Sequence, residues 1–463
     1  MRQYLRMPRA RRSSASPARP RRSDHLSLPQ VIAMGVGGMI GGGIFSVLGL
    51  AIAQAGHAAP LAFALGGAIA LLTGLSYAHL GLSFRSDGGS FTYLEHAFRH
   101  PNIAGMGGWL LLAGYVGTLA LYAYTFGAYG SALLGQNDPQ QAAAHHLLQT
   151  LVLLAFLGIN LYGVRASGTT ELLIVTIKVL ILGLFAVIGL WYLDPTQLVP
   201  VLDQGTMGLV MGAALIFVAY EGFELIPNAI NEMENPERNL GRGIFWAIGI
   251  TISIYVLVAL VAVGNLRPEE IRQYGEYALA VAAQPFLGQA GFLLIGLAAL
   301  FSTASAINAT LFGTARLGKV MAEERELPAA FAFTRRQHTI PWFSLIVITG
   351  TTLAFVNLAD LSMIASFSSS TFLLVFLAIN LSAWRLRKRL GIPAYYPLAG
   401  VLLSLSAWVA LLNHLWETDH ESLYWTGAAY LVVAGAEFLF SRRRLGTCRS
   451  PASGRNGPSK KRR

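Results

Sequence analysis

The chain is poor in cysteine and in charge. One cysteine, Cys448, stands in 463 residues, so neither an intrachain disulfide framework nor a cysteine metal site can form. Charged residues make up 12% of the chain against 54% hydrophobic, a balance that excludes an ordinary soluble domain. There is no GxxxxGK[ST] phosphate loop, which argues against an ATP motor. A membrane-embedded enzyme would need an HExxH motif or paired intramembrane aspartates, and a channel would need a filter or rings of charge; none of these occurs. No enzymatic activity, metal or cofactor is expected. The formal charge of +11 would suit nucleic acid, but the arginines crowd the two tails, Arg2 to Arg22 and Arg442 to Arg463, and alternate loops. That distribution is an orientation signal, so no nucleic-acid partner is expected.

What the chain has is apolar length. Twelve stretches are long enough to cross a bilayer, at residues 28–53, 59–83, 103–134, 147–163, 169–193, 207–231, 241–265, 287–315, 341–358, 361–384, 396–416 and 422–440. All but three of the 34 lysines and arginines fall on the side of the tails; Arg267 and Arg272 lie opposite, and Lys178 lies within a span. This predicts a multi-pass protein of the cell membrane, embedded in the lipid bilayer with both termini cytoplasmic. Residues 1–26 and 441–463, rich in Arg, Ser, Pro and Gly, read as disordered basic tails. The first apolar run ends in AIAQA, which looks like a signal-peptidase site. The run from Leu26 to Ala53 is nevertheless longer than the roughly 7–15 residues of a signal-peptide core, and no cleavage is expected.

Two spans are interrupted. Gly35–Phe45, GVGGMIGGGIF, puts six glycines inside the first. Each costs about 1 kcal/mol against alanine in a helix interior. Irregular backbone at membrane depth is tolerated where it lines a cavity or is buried in protein. The sixth span carries Phe217–Phe223, FVAYEGF, with Gly222 flanked by Glu221 and Glu224. If residues 27–193 and 206–390 are two five-helix halves, an odd helix count inserts them with opposite topology and the two breaks correspond. Residues 395–440 then supply two additional helices. Matched breaks point to a site at the bilayer midplane, where half-helix N–H groups meet a carboxylate and freed carbonyls meet an amine or cation. A zwitterionic amino acid satisfies both. The plainer reading is that the glycines only let helices pack closely.

With the breaks in view, five fragments resemble the amino acid–polyamine–organocation (APC) superfamily of permeases. They are GVGGMIGGGIF; DGGSFTYLEHAF followed by GGW at Gly107–Trp109; INLYGVRASG at Ile159–Gly168; FVAYEGFELIPNAINEMENPERNLGRGI at Phe217–Ile244; and TARLGKVMAEERELP at Thr314–Pro328. The resemblance implies an all-α fold of twelve transmembrane helices, a five-plus-five inverted repeat with two further helices, helices 1 and 6 unwound at the midplane, and alternating access. It places substrate along Met39, Ile40, Gly41, Gly42, Gly43 and Ile44 in helix 1, and along Phe217, Ala219, Tyr220, Glu221, Gly222 and Phe223 in helix 6. The N–H groups of Gly42 and Gly43 would hold the carboxylate, the carbonyls of Met39, Phe217 and Tyr220 the amine, and Phe223 would be an aromatic gate. Tyr77–Leu80 reads YAHL where the family usually has YAEL, and Asp87 stands near where a proline is common.

Lys178 lies about 13 Å along the helix axis from Thr169, deep in the fifth span. A lysine there is a functional candidate by default; the competing reading is that it snorkels to the interface. In sodium-coupled relatives of the fold a cation sits between helices 1, 5 and 8. The resemblance puts the Lys178 ammonium there, facing the carbonyls of Gly37 and Ile40 and a hydroxyl of Ser302 or Ser305, as the proton-coupling group. Glu224 reads as a gating or structural acid. Glu221, where small or apolar residues are usual, favours a cationic side chain or polyamine if it enters the pocket. Tyr115, Tyr122 and Phe126 read as packing residues, with pocket lining as the alternative, and His57, His79 and the His145–His146 pair as surface or interfacial, with a proton relay at His79 as the alternative. Trp191, Tyr192, Trp342, Trp384, Trp408, Trp416, Tyr424 and Trp425 read as interfacial anchors. The expected function is secondary active transport of amino acids by proton symport, with the amino acid and protons as partners. The alternatives are an amino-acid or amine exchanger, a polyamine or cationic amino acid carrier, and a transporter-like nutrient sensor. The amino acid carried and the oligomeric state are left open.

Overall fold

The computed structural model describes residues 25–86, 88–98, 101–135, 140–163, 168–266, 274–334 and 340–445. Asp87, Arg267, Arg272, Cys448 and the N-terminal tail up to residue 24 fall outside them. Of the expected C-terminal tail, the first residues continue the last helix to Leu445 instead of leaving it.

The elements in order are α1 Leu28–Met39, α2 Gly43–Ala55, α3 Ala59–Ser83, α4 Gly89–Ala97, α5 Pro101–Leu133, α6 Gln140–Tyr162, α7 Gly168–Trp191, α8 Gly205–Leu215, α9 Leu225–Asn228, α10 Pro236–Asn265, α11 Ala278–Ala282, α12 Gln284–Glu323, α13 Trp342–Leu358, α14 Leu361–Leu390, α15 Tyr395–Thr418 and α16 His420–Leu445. The described residues contain no sheet, only an isolated bridge between Leu26 and Met233. Among them, 10 helical stretches are long and apolar enough to cross a membrane, with Leu28–Met39 and Trp342–Leu358 as shorter apolar helices. The count falls below twelve for a physical reason. The glycine break cuts the first span short, its second part runs on as Gly43–Ser83 through a turn at Gly56, and Trp342–Leu358 has only 17 residues.

Helix α1 starts cleanly. The Ser27 N–H and hydroxyl both donate to Gln30 Oε1 at 2.9 Å, and Pro29 occupies the first turn, where its missing N–H is not needed. The residue before the cap is tied down as well: the Leu26 N–H donates to the Glu232 carbonyl at 2.6 Å, and its own carbonyl accepts from Glu234 at 3.0 Å.

One packing pattern occurs twice. Helix α1 lies against α7 and α10, and α8 with the turn after it lies against α14 and α3. Helix α5 packs on α6 and α14, and α12 on α13 and α7. The short α4 touches α9, and the short α11 touches α2. The pairs α3–α10 and α5–α12 form the centre. Helices α15 and α16 lie outside, on α14 and α5 respectively.

Helix α7 shows how the outside differs from the inside. Leu173, Ile177, Leu180, Leu184 and Val187 are exposed, at spacings of three and four residues, while Val175, Lys178, Leu182 and Phe185 are buried on the other side. A continuous exposed leucine and valine stripe is what lipid, not water, covers. Trp191, Tyr192, Trp416, Tyr424 and Trp425 are exposed near helix ends, as expected for anchors. Trp408 departs from that expectation. It turns inward, and its indole N–H donates to Ser370 Oγ at 3.0 Å, because α15 lies flat on α14 there.

Candidate functional site

Helix α1 loses its regular path at Met39. The Ile40 N–H still reaches the Val36 carbonyl at 2.8 Å, the Gly41 N–H bonds Gly38 at 3.2 Å, and α2 begins at Gly43 with Gly42 as its cap. The second interruption is longer. Helix α8 ends at Leu215, a 3-10 turn covers Ile216–Tyr220, and Glu221 to Glu224 form a turn before α9. Gly222 has φ of 122°, a conformation that side-chain-bearing residues rarely adopt.

The two interruptions touch. A Cβ on Gly38 would stand 2.9 Å from the Gly222 Cα, and one on Gly222 would stand 2.5 Å from the Gly38 carbonyl carbon. Only glycine facing glycine allows this approach. Tyr255 of α10 holds the crossing, its hydroxyl shared between the carbonyls of Met39 at 2.6 Å and Ala219 at 3.0 Å.

Three successive carbonyls at the end of α1 are met by hydroxyls from three helices. Gly38 receives Tyr122 of α5 at 3.2 Å, Met39 receives Tyr255, and Ile40 receives Ser302 of α12 at 2.5 Å. The Met39 carbonyl, expected to receive a substrate amine, accepts from Tyr255 in this structure. The N–H groups of Gly43 and Ile44 open a 13-residue helix and have no acceptor within it, so that end carries partial positive charge. The ring of Tyr122 lies against Gly42 so closely that any Cβ there would strike it. Gly41 faces Ala306 of α12.

In the second break the acids point inward. Glu221 and Glu224 are both buried, at 2% and 1% exposure. Tyr122 donates to Glu221 at 3.3 Å, and Tyr115 donates to Glu224 at 3.2 Å. The Gly222 N–H donates to Glu224 Oε2 at 2.8 Å. The only ion pairs among the described residues are Arg85–Glu237 and Lys319–Glu323, so no cation pairs with either acid. Phe223 is buried in an aromatic layer, with ring centroids 5.6 Å from Tyr77 and 5.2 Å from Phe376; Phe217 joins it at 5.5 Å from Phe376. The Tyr220 hydroxyl donates to the Phe63 carbonyl at 2.6 Å.

Lys178 does not snorkel. It is 3% exposed, and its Nζ donates to the Ser302 backbone carbonyl at 3.4 Å. The expected partners are thereby revised. The Ser302 hydroxyl is spent on the Ile40 carbonyl, so the ammonium reaches helix 1 through Ser302 and bonds neither Gly37, Ile40 nor Ser305 directly. Glu171, two turns earlier on the same helical face, attracts the ammonium, and a Cβ on Gly37 would lie 3.6 Å from its Oε1. No group of His, Cys, Asp or Glu able to hold a metal is present among the described residues.

Sequence reasoning weighed Tyr115 and Tyr122 only as packing or pocket-lining rings, and it missed Tyr255 and Glu171. A tyrosine inside an apolar run has no pattern that separates a packing ring from a hydroxyl with a target. Glu171 was legible in principle, because positions 171 and 178 share a helical face.

An uncharacterized protein of Methanocaldococcus jannaschii is 34% identical over 426 residues, covering 91% of this chain and 96% of that protein. The inner membrane transport protein YbaT of Escherichia coli is 32% identical over 402 residues, covering 86% and 92%. The methylthioribose transporter of Bacillus subtilis is 28% identical over 384 residues, covering 79% and 81%. The family model described as "Amino acid permease" matches residues 26–435, and the chain belongs to that family, within the APC superfamily of membrane transporters.

Proposed function

We propose that this transporter moves an amino acid across the cell membrane by alternating access, coupled to protons, with twelve spans, a five-plus-five inverted repeat and both termini cytoplasmic. The observation that carries the reading is the contact of the two helix interruptions at Gly38 and Gly222. It brings the N-terminus of α2 and a set of carbonyls and carboxyls to one buried place. The substrate carboxylate takes the N–H groups of Gly42, Gly43 and Ile44, and its amine takes carbonyls of the breaks once Tyr255 or Tyr122 yields them. The repeated packing of α1 to α7 and of α8 to α14 supports the two-half organisation.

Lys178 is the coupling group in this reading. Its ammonium is a fixed cation between α7, α12 and, through Ser302, the end of α1. Losing the proton removes the attraction that draws these helices together, so protonation and the position of helix 1 are linked. The test is uptake into proteoliposomes under an imposed pH gradient. The wild-type chain accumulates an amino acid, and Lys178→Ala binds it but no longer accumulates it with the gradient. Gradient-driven accumulation by Lys178→Ala would refute the coupling role, and binding without any uptake by the wild type would favour a sensor.

A further inference from the structure

Glu221 is the one group at the crossing whose chemistry the transport reading leaves unused. Its carboxyl is buried, lacks a cationic partner among the described residues, and lies in the turn that touches helix 1. Burying a carboxylate without a counter-charge is costly, so the site must supply a proton or a cation. No cation pairs with Glu221 among the described residues, so without ligand the partner of this buried carboxyl is a proton.

Tyr122 fixes where Glu221 stands relative to the rest of the site. Its ring lies against Gly42, beside the N-terminus of α2, while its hydroxyl is 3.2 Å from the Gly38 carbonyl and 3.3 Å from Glu221 Oε2. The positive end of α2 and the acid are therefore one phenol ring apart. A ligand with a carboxylate at one end and a cation at the other fits that pairing, whereas a neutral aliphatic side chain would leave the acid dependent on its proton.

We propose that Glu221 sets the substrate class: it receives the side-chain ammonium or guanidinium of a cationic amino acid whose α-carboxylate lies at the start of α2. The proposal rests on the transport reading above. When the cation arrives, the proton that neutralises the buried acid leaves to solvent, and the charge of the site stays constant. The other titratable groups facing Glu221 and Glu224 are Tyr115 and Tyr122 of α5, Tyr77 of α3 and Tyr255 of α10, none of them a cation.

The test uses the purified full-length chain in detergent with L-lysine, L-arginine, L-leucine and L-serine. Wild type binds the two cationic amino acids at least about tenfold more tightly than the neutral ones, a difference of about 1.4 kcal/mol. In weakly buffered solution, their binding releases protons that a pH indicator detects. The isosteric variant Glu221→Gln loses the cationic preference and the proton release. The indicator measurement on wild type needs no variant, so a misfolded Glu221→Gln does not spoil the test. Preferential binding of neutral amino acids with the same ranking in Glu221→Gln, or cationic binding without proton release, overturns the assignment and leaves the transport reading standing. Failure of the wild type to bind or carry any amino acid overturns both.

Discussion

The two helix interruptions solve the same problem by opposite means. The first is built from glycine and brings no polar side chain of its own. Its freed carbonyls at Gly38, Met39 and Ile40 depend on Tyr122, Tyr255 and Ser302 from three other helices. The second carries its own relief. Glu224 turns back to take the Gly222 N–H, and besides the Tyr255 hydroxyl shared with the first break its backbone borrows Ser369, which donates to the Leu215 carbonyl at 2.6 Å and accepts from the Val218 N–H at 3.0 Å. A break whose polar groups are satisfied from outside changes when its neighbours move. A break satisfied from within keeps its shape. We therefore expect the first to be the responsive partner and the second the steadier surface against which it works.

The sharpest way to break this comparison is to separate the two surfaces. Gly222→Ala adds a Cβ at a φ of 122° and 2.5 Å from the Gly38 backbone, where no rotamer gives relief. We expect a loss of about 3 kcal/mol or more, read as thermal unfolding in detergent, with uptake abolished. Tyr255→Phe is next. It removes a hydroxyl that serves the backbone of both breaks and leaves the Met39 carbonyl buried without its donor, at a cost of about 1–3 kcal/mol. If the first break is the responsive one, this variant also alters substrate affinity, which equilibrium binding measures. Arg85→Ala sets the floor. Its pair with Glu237 at 3.1 Å is exposed on both sides and far from either break, so the melting temperature should move by less than about 0.5 kcal/mol requires.

Much of this architecture is readable in the residues. The expected span at 59–83 coincides with Ala59–Ser83, and that at 341–358 nearly matches Trp342–Leu358. The eighth helix runs past the expected 315 to Glu323, because Arg316, Lys319 and Met321 continue a helix after the apolar stretch has ended. Both breaks are legible, since glycine and acid inside apolar runs are local anomalies. Their closure is not. Tyr122, Tyr255 and Ser302 come from distant parts of the chain, and nothing near them in sequence says which carbonyl they will meet. Lys178 stands out as a charge in a span, yet its bond to the Ser302 backbone rather than to the serine hydroxyl follows only from where α12 places that residue.

The bridge at Leu26 ties these regions mechanically. Two backbone bonds fasten the residue ahead of α1 to Glu232 and Glu234, just beyond the second break. A lever needs a pivot, and here the short end of the first helix is pinned to the segment that trails the steadier surface. Any swing of α1 about that pin is largest at its far end, at Met39, which is where its carbonyls meet Tyr255 and its neighbours.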